Sequence, residues 1–239
     1  MKRLEGKHVV VTGAGTGIGR AIARRLAEEG AELTLMARDE SRLADVVPGA
    51  LTKSVDIRDE EQVRAAFDHQ LDALVANAGI GGPNAPGDGD RFDDIVRTNL
   101  YGTYWCCRAA EPLLADGGRI VVISSILARI AVPGYTAYSA SKAALLGLVR
   151  SLAAELAPRS IQVNAICPGW VNTDMAWQGL SEWPGLTPDE AWEIAKQEVP
   201  LRRMGEPEEI AGTVAWLLSP DAIGVTGQGI DHNNGAWMI

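Results

Sequence analysis

HVVVTGAGTGIGRAIARRLAEEG, residues 8–30, decides the fold. An unbroken apolar run (8–13) leads through a glycine-rich turn into a helix-period segment (17–30) closed by Gly30. A short apolar run bounded by turn residues reads as a strand buried on both faces, and the segment after it as a helix. The turn, TGAGTGIG at 12–19, is spaced Gly-x-x-x-Gly-x-Gly over Gly13, Gly17 and Gly19. Gly13 permits a tight turn, while Gly17 and Gly19 let a pyrophosphate and the helix approach the backbone. The helix N-terminus then offers free N–H groups and a positive dipole end to an anion. Glycine-rich turns also occur for packing alone, so the weight of this one comes from its place after the first strand.

The same rhythm continues to the other end. Strands are expected at 32–37, 51–56, 71–79, 118–125 and 161–169, with helices at 59–70, 91–114 and 138–157 and a short one from about Ser41. The tail carries two helices and a last apolar segment, VTGQGIDHNNGAW. Alternation of this kind predicts an α/β chain: one doubly wound parallel sheet with helices on both faces, a single domain over 1–239.

Composition narrows the partners. Lys and Arg total 22 against 31 Asp and Glu, a net charge of −9, which repels a phosphate backbone; nucleic acid is not an expected partner. The N-terminal MKRLEGK runs straight into the first strand without a signal-peptide apolar region. No window approaches the roughly 18 apolar residues of a membrane helix. A cytoplasmic protein is expected, with no membrane partner. Cys106, Cys107 and Cys167 lack a paired spacing and read as buried reduced thiols, and the three histidines show no metal-ligand spacing.

The second strand ends at Ala37 and Arg38, where a carboxylate commonly grips the ribose 2′-hydroxyl of NAD. Ala37 has no such group, and Arg38 suits a 2′-phosphate, so NADP is favoured, with NAD as the alternative because Asp39 and Glu40 stand next door. Asp56, at the end of the third expected strand, falls where a side chain meets the adenine edge.

TGAGTGIG, read with ANAG (76–79), ISS (123–125), YSASK (138–142) and PGWVNT (168–173), makes the chain resemble the short-chain dehydrogenase/reductase family along essentially its whole length. The resemblance implies a Rossmann-type domain that moves hydride between a nicotinamide and a carbonyl or alcohol. It implies Tyr138 as general acid/base and Lys142, four residues on, as the group that tunes it and bonds the nicotinamide ribose. It implies Ser125 as donor to the substrate oxygen, thirteen residues before the tyrosine, and Asn99 as support for a proton-relay water. Tyr135 fails the spacing, because Ser139 stands four residues beyond it. A tyrosine of pKa about 10 needs a nearby cation to exchange protons near neutrality, which a lysine one helical turn along supplies. Taken alone, Tyr138 and Lys142 read as an ordinary helix pair.

The cofactor set implied in the same way comprises Gly13, Thr16, Gly17, Ile18 and Gly19 on the loop, and Arg38, Asp56 and Ile57 at the adenosine end. It continues with Asn77, Ala78 and Gly79, chiefly through backbone, then Tyr138, Lys142, Pro168, Gly169, Val171 and Thr173. Two departures stand out: Ala76 replaces a second asparagine, and the segments with the second and third helices are short for the family.

Residues 172–203 would form the lid over the substrate. TPDE at 187–190 is a capping box that starts a helix in it, with Thr187 as N-cap and Pro188 at the first helical position. Tyr135, Trp170, Trp177 and Trp183 are candidates to meet a cyclic, aromatic or acyl-thioester substrate, although buried tryptophans more often anchor packing. Arg202 and Arg203 read either as an anchor for an anionic substrate or as a solvated pair. Family members are usually homodimers or homotetramers built on the helices at 91–114 and 138–157. A non-catalytic nucleotide sensor is the rival from another class; it usually lacks the tyrosine or lysine, and both are present here.

Overall fold

The computed structural model describes residues 2–84, 86–87 and 89–238. Seven strands form one parallel sheet in the order β3-β2-β1-β4-β5-β6-β7. They are β1 (His8–Thr12), β2 (Glu32–Ala37), β3 (Leu51–Ser54), β4 (Leu71–Ala76), β5 (Leu114–Ile123), β6 (Gln162–Pro168) and β7 (Gly229–His232). The chain runs outward from β1 to β3 and then returns to build β4 on the other side. The switch between β1 and β4 opens a crevice at the strands' C-terminal ends, where sheets of this class bind ligands.

Alternation along β1 shows how both faces are used. Val10 packs into the core beneath α4 (Thr103–Ala110) and α5 (Thr136–Leu156). Val9 and Val11 face the core beneath α1 (Gly17–Glu28) and α8 (Pro207–Leu218). The three cysteines are buried without a disulfide. Among the described residues, no helix is long and apolar enough to cross a membrane.

Several boundaries differ from the sequence expectation. β3 stops at Ser54, so Asp56 lies two residues past the strand. β4 stops at Ala76, which leaves Asn77, Ala78 and Gly79 in the crevice as loop. The second helix, α2 (Glu60–Ala66), is capped by Asp59, whose side chain accepts from the N–H groups of Glu61 and Gln62, and it ends four residues early. The expected long helix at 91–114 is broken into α3 (Phe92–Val96), a π-helical turn (Arg97–Gly102), α4 and a short 3-10 turn. The lid holds two helices: α6 (Asp174–Ser181), capped by the Thr173 hydroxyl, and α7 (Pro188–Glu198), which starts with the expected Thr187–Glu190 capping box.

The N-terminal segment is pinned to α1 by Glu29, whose carboxylate accepts from Arg3 and, at 3.0 Å, from Arg25. Those bonds, Arg3's first, hold its pKa at about 2. A carboxylate with a depressed folded pKa contributes stability above the unfolded value of about 4.3 and loses it as pH falls toward the folded value. Glu29→Gln should therefore lower the urea unfolding free energy by about 1–2 kcal/mol at pH 7, with the gap to wild type narrowing between pH 4.5 and 2.5. A gap independent of pH would refute this assignment.

Candidate active site

The glycine loop is shaped by close backbone contacts. Gly13 has φ +65°, and a Cβ there would lie 2.7 Å from Ala78 Cα. A Cβ on Gly19 would fall 2.1 Å from the Gly13 carbonyl oxygen, so this glycine lets α1 seat on its own loop. Thr12, which the sequence reading passed over, bolts the loop to the end of β4. Its hydroxyl accepts the N–H groups of Asn77 and Ala78, each at 3.1 Å. Asn77 answers with its side-chain amide, donating to the carbonyls of Thr12 (3.0 Å) and Gly13 (3.1 Å). The Asn77 side chain is therefore a brace.

Thr16 is the exposed N-cap of α1 and Ile18 packs against the core under that helix. Gly17, at φ +48°, sits under Thr173, whose Cγ2 would be 3.2 Å from an added Cβ. The Thr173 hydroxyl caps α6, accepting from Ala176 N–H at 3.3 Å and donating to the Val171 carbonyl at 3.2 Å. Val171 is buried and bridges to Gly205. Pro168 closes β6, and Gly169 backs onto the C-terminal segment, where a Cβ would meet Asn233 Cβ at 2.9 Å. The loop, strand ends and lid entrance form a cradle lined by backbone, which fits the pyrophosphate and nicotinamide ends of a dinucleotide.

At the adenosine end, Arg38 is exposed just past β2. The Asp56 carboxylate is taken by Arg58, whose guanidinium reaches both oxygens at 2.7–3.1 Å. Ile57 is buried against Gly102, where a Cβ would come within 2.7 Å of it.

Four side chains from three segments, Ser125, Tyr138, Lys142 and Asn99, meet across the crevice. Ser124 and Ser125 follow β5 and have different tasks. The Ser124 hydroxyl donates to the Lys142 carbonyl at 2.9 Å, tying the strand to α5. Ser125 Oγ accepts from Leu127 N–H at 3.1 Å, so its own proton is left to donate elsewhere. Tyr138 lies in the first turn of α5, half-buried; burial pushes its phenol above the usual value and the neighbouring Ser125 hydroxyl pulls the other way. Lys142 is 5% exposed, its ammonium donating to the Ile123 carbonyl at 2.9 Å and lying 5.7 Å from the centre of the Tyr138 ring. Burial draws its pKa down to about 8. A Cβ on Gly79 would be 3.4 Å from Lys142 Nζ and 3.0 Å from Asn99 Oδ1, so this loop packs closely against both side chains.

Asn99 lies in the π-helical turn, fully buried. Its side chain accepts from Ile80 N–H (2.8 Å) and donates to the Ile80 carbonyl (2.9 Å) and to Ser141 Oγ (3.1 Å). The Ser141 hydroxyl in turn donates to the Tyr138 carbonyl at 2.7 Å. The carboxamide thus holds the Ile80 loop against α5.

Tyr135 stands just before α5, its ring edge-on to that of Tyr138 with centroids 6.5 Å apart. Its hydroxyl would be 3.6 Å from a Cβ on Gly179 of α6. The tryptophans pair with one another: Trp177 stacks on Trp192 at 4.2 Å, and Trp170 meets Trp183 edge-on at 6.4 Å. With Leu180, Ala191, Ala195 and Met204, the rings of Trp170, Trp183 and Trp192 build the lid's own core. The lid side chain that reaches the crevice is one the sequence reading missed, Met175. Its sulfur would lie 3.0 Å from a Cβ on Gly81, and Tyr138 Cε2 would lie 3.8 Å from the same point. Only its place two residues after the N-cap Thr173 hinted at it.

The model of a family described as enoyl-(acyl carrier protein) reductase matches residues 13–236. The 3-oxoacyl-(acyl-carrier-protein) reductase FabG of Staphylococcus aureus (strain Mu50) is 38% identical over 97% of this chain and 98% of its own. Among solved structures, the ligand-free aldohexose dehydrogenase of Thermoplasma acidophilum superposes with a TM-score of 0.89 at 31% identity, covering 98% of this chain and 95% of that one. Levodione reductase does so with a TM-score of 0.90 at 32% identity, covering 98% of both. The glycine loop, the serine–tyrosine–lysine cluster and these likenesses agree, and the chain belongs to the short-chain dehydrogenase/reductase family of NAD(P)-dependent oxidoreductases.

Proposed function

We propose that the protein is an NADP(H)-dependent reductase of a ketone, or the dehydrogenase of the matching secondary alcohol, working in the cytoplasm as a single-domain homodimer or homotetramer. The convergence of Ser125, Tyr138 and Lys142 beside the glycine loop carries this reading. When bound, the nicotinamide supplies or accepts the hydride. The protein's own part is the proton and the charge. Burial keeps the phenol protonated near neutrality, so Tyr138 and Ser125 both present O–H donors to an oxygen that gains negative charge. As Tyr138 gives up its proton, the Lys142 ammonium, in a site screened from water, favours the phenolate left behind. Asn99 acts as a positioning residue that holds Ile80 and, through Ser141, the first turn of α5.

The preference for NADP is supported by the commitments at the end of β2. Asp39 faces Ser41 and Arg42, and Glu40 accepts from the Thr52 hydroxyl at 2.8 Å, while Arg38 makes no ion pair among the described residues. Tyr135, Met175, Gly81 and Gly179 make the crevice mouth mainly apolar, which suits a cyclic or acyl ketone. The names of two relatives, a 3-oxoacyl reductase and levodione reductase, agree with a ketone substrate. Tyr101 and Tyr104, 52% and 38% exposed on the π-helical turn and α4, support a subunit interface there. Light scattering should give at least a dimer; a monomer at micromolar concentration would contradict that part.

A panel of cyclic ketones, β-ketoacyl thioesters, an enoyl thioester and secondary alcohols tests the reaction. Ketone reduction should dominate, and faster reduction of the enoyl thioester would overturn it. Tyr138→Phe should lower kcat by about 100-fold or more while the cofactor Kd stays within about threefold. In the wild type, kcat/KM for the ketone should fall above about pH 8, as Lys142 loses the proton that makes it a cation. A flat profile to pH 10 would count against this role. Arg38→Ala should reduce the NADPH-to-NADH ratio of kcat/KM by about tenfold or more, because a charge-assisted contact to a phosphate is worth about 1.5–3 kcal/mol. A wild-type preference for NADH that survives the substitution would leave the NAD alternative.

A further inference from the structure

The cofactor reading rests on one arginine, yet a second is built into the same corner. After β2 the chain makes a single 3-10 turn, Glu40–Leu43, and this turn packs directly against the glycine loop. A Cβ on Gly15 would lie 2.9 Å from Arg42 Cβ and 3.5 Å from the Arg42 carbonyl oxygen, so Arg42 is seated on the loop itself. The other arginines nearby are committed. Arg20 clamps the Gly15 carbonyl through Nε (2.9 Å) and a terminal nitrogen (2.6 Å). Arg24 turns toward the Val46 carbonyl, and Arg58 is held by Asp56 and Asp94.

Arg42 differs. Its Nε lies 3.3 Å from Asp39 Oδ2, with the two side chains 62% and 56% exposed. Asp39 uses its other oxygen to accept from Ser41 N–H and Oγ. An exposed pair of this kind contributes only about 0–1 kcal/mol, while a guanidinium carries five N–H donors in a planar fork that matches a phosphate. Among the described residues the terminal nitrogens of Arg42 have no protein acceptor.

We infer that Arg42 is a second cation for the 2′-phosphate of NADP, acting with Arg38. The inference rests on the NADP reading above. Arg38 comes to the ribose corner from the strand end, and Arg42 from the turn seated on Gly15. The Asp39–Arg42 pair has a consequence of its own: it keeps the carboxylate nearest the corner engaged with a cation, so that Asp39 opposes an incoming dianion less than an unpaired acid would. Two arginines then face one phosphate in a stretch whose formal charges, Arg38, Asp39, Glu40 and Arg42, cancel.

The test compares wild type, Arg38→Ala, Arg42→Gln, Arg42→Lys and the double variant Arg38→Ala/Arg42→Gln. Glutamine keeps an aliphatic stem against Gly15 while removing the guanidinium's charge and its fork of donors. The readouts are the NADPH-to-NADH ratio of kcat/KM and competitive inhibition by adenosine 2′,5′-bisphosphate relative to 5′-AMP. Arg42→Gln should lower the ratio by about three- to tenfold and weaken the bisphosphate by a similar factor relative to AMP, with Arg42→Lys recovering part of both. The double variant should fall below either single one. A loss in Arg38→Ala with no change in Arg42→Gln would overturn this inference and leave the NADP reading standing. No change in either, with NADH preferred by the wild type, would overturn both. Equal weakening of the bisphosphate and AMP in Arg42→Gln would place Arg42 in packing of the loop and also overturn it.

Discussion

A single buried cation constrains the site. The Lys142 ammonium is almost wholly removed from water and has the Ile123 carbonyl as its backbone acceptor. Burying an ammonium is costly unless it is hydrogen-bonded or placed near groups that become negative. Its surroundings are built to hold it. β5 ends where its last carbonyl meets the ammonium, the Ser124 hydroxyl ties that strand end to α5, and Gly79 packs close beside Nζ. That removal from water draws its pKa down to about 8. The phenol that rises on the same helix is its counterpart, and a phenolate formed there during turnover would relieve both groups.

The loop after β4 links this cation to the cofactor cradle. On one side Thr12 and Asn77 exchange bonds with the backbone, fixing the loop to the glycine turn. On the other, Asn99 pairs with both backbone groups of Ile80 and passes the contact through Ser141 to Tyr138. One short segment, Asn77 to Gly81, therefore ties the glycine turn to the first turn of α5, which carries the tyrosine. Such a connection gives a reason for the π-helical turn: the helix carrying Asn99 departs from α geometry where Gly102 fits over Ile57 and Asn99 reaches the loop. Turns of this kind are often found at functional sites.

Features set by spacing along one element were legible in the sequence. The strand–helix alternation, the glycine turn and the Thr187 capping box all depend on near neighbours. Ser125 was separated from Ser124 by its distance to Tyr138, and the bonding of the two hydroxyls now gives that difference a physical cause. What could not be read was set by contacts between distant segments. Asn99 pairs with Ile80, which lies on another loop, so the use of its side chain was invisible in the sequence. Thr12 read as one more turn residue because Asn77, far along the chain, gives its hydroxyl a task. The sequence left the tryptophans as either substrate contacts or packing anchors; folding pairs them as Trp177–Trp192 and Trp170–Trp183, and Met175 comes close to Gly81 and Tyr138. β7 was missed as a strand because its short Gly229–His232 run gains its meaning from pairing with β6.

The central claim is that this cluster serves hydride exchange with a carbonyl. It is tested most directly by single turnover of the intact protein with each ketone of the panel and NADPH carrying deuterium at both nicotinamide C4 positions, followed by mass and NMR analysis of the products. The account predicts one deuterium on the carbinol carbon and a hydroxyl proton drawn from solvent. Deuterium recovered only in the cofactor, with the cofactor bound and every ketone unchanged, would contradict it.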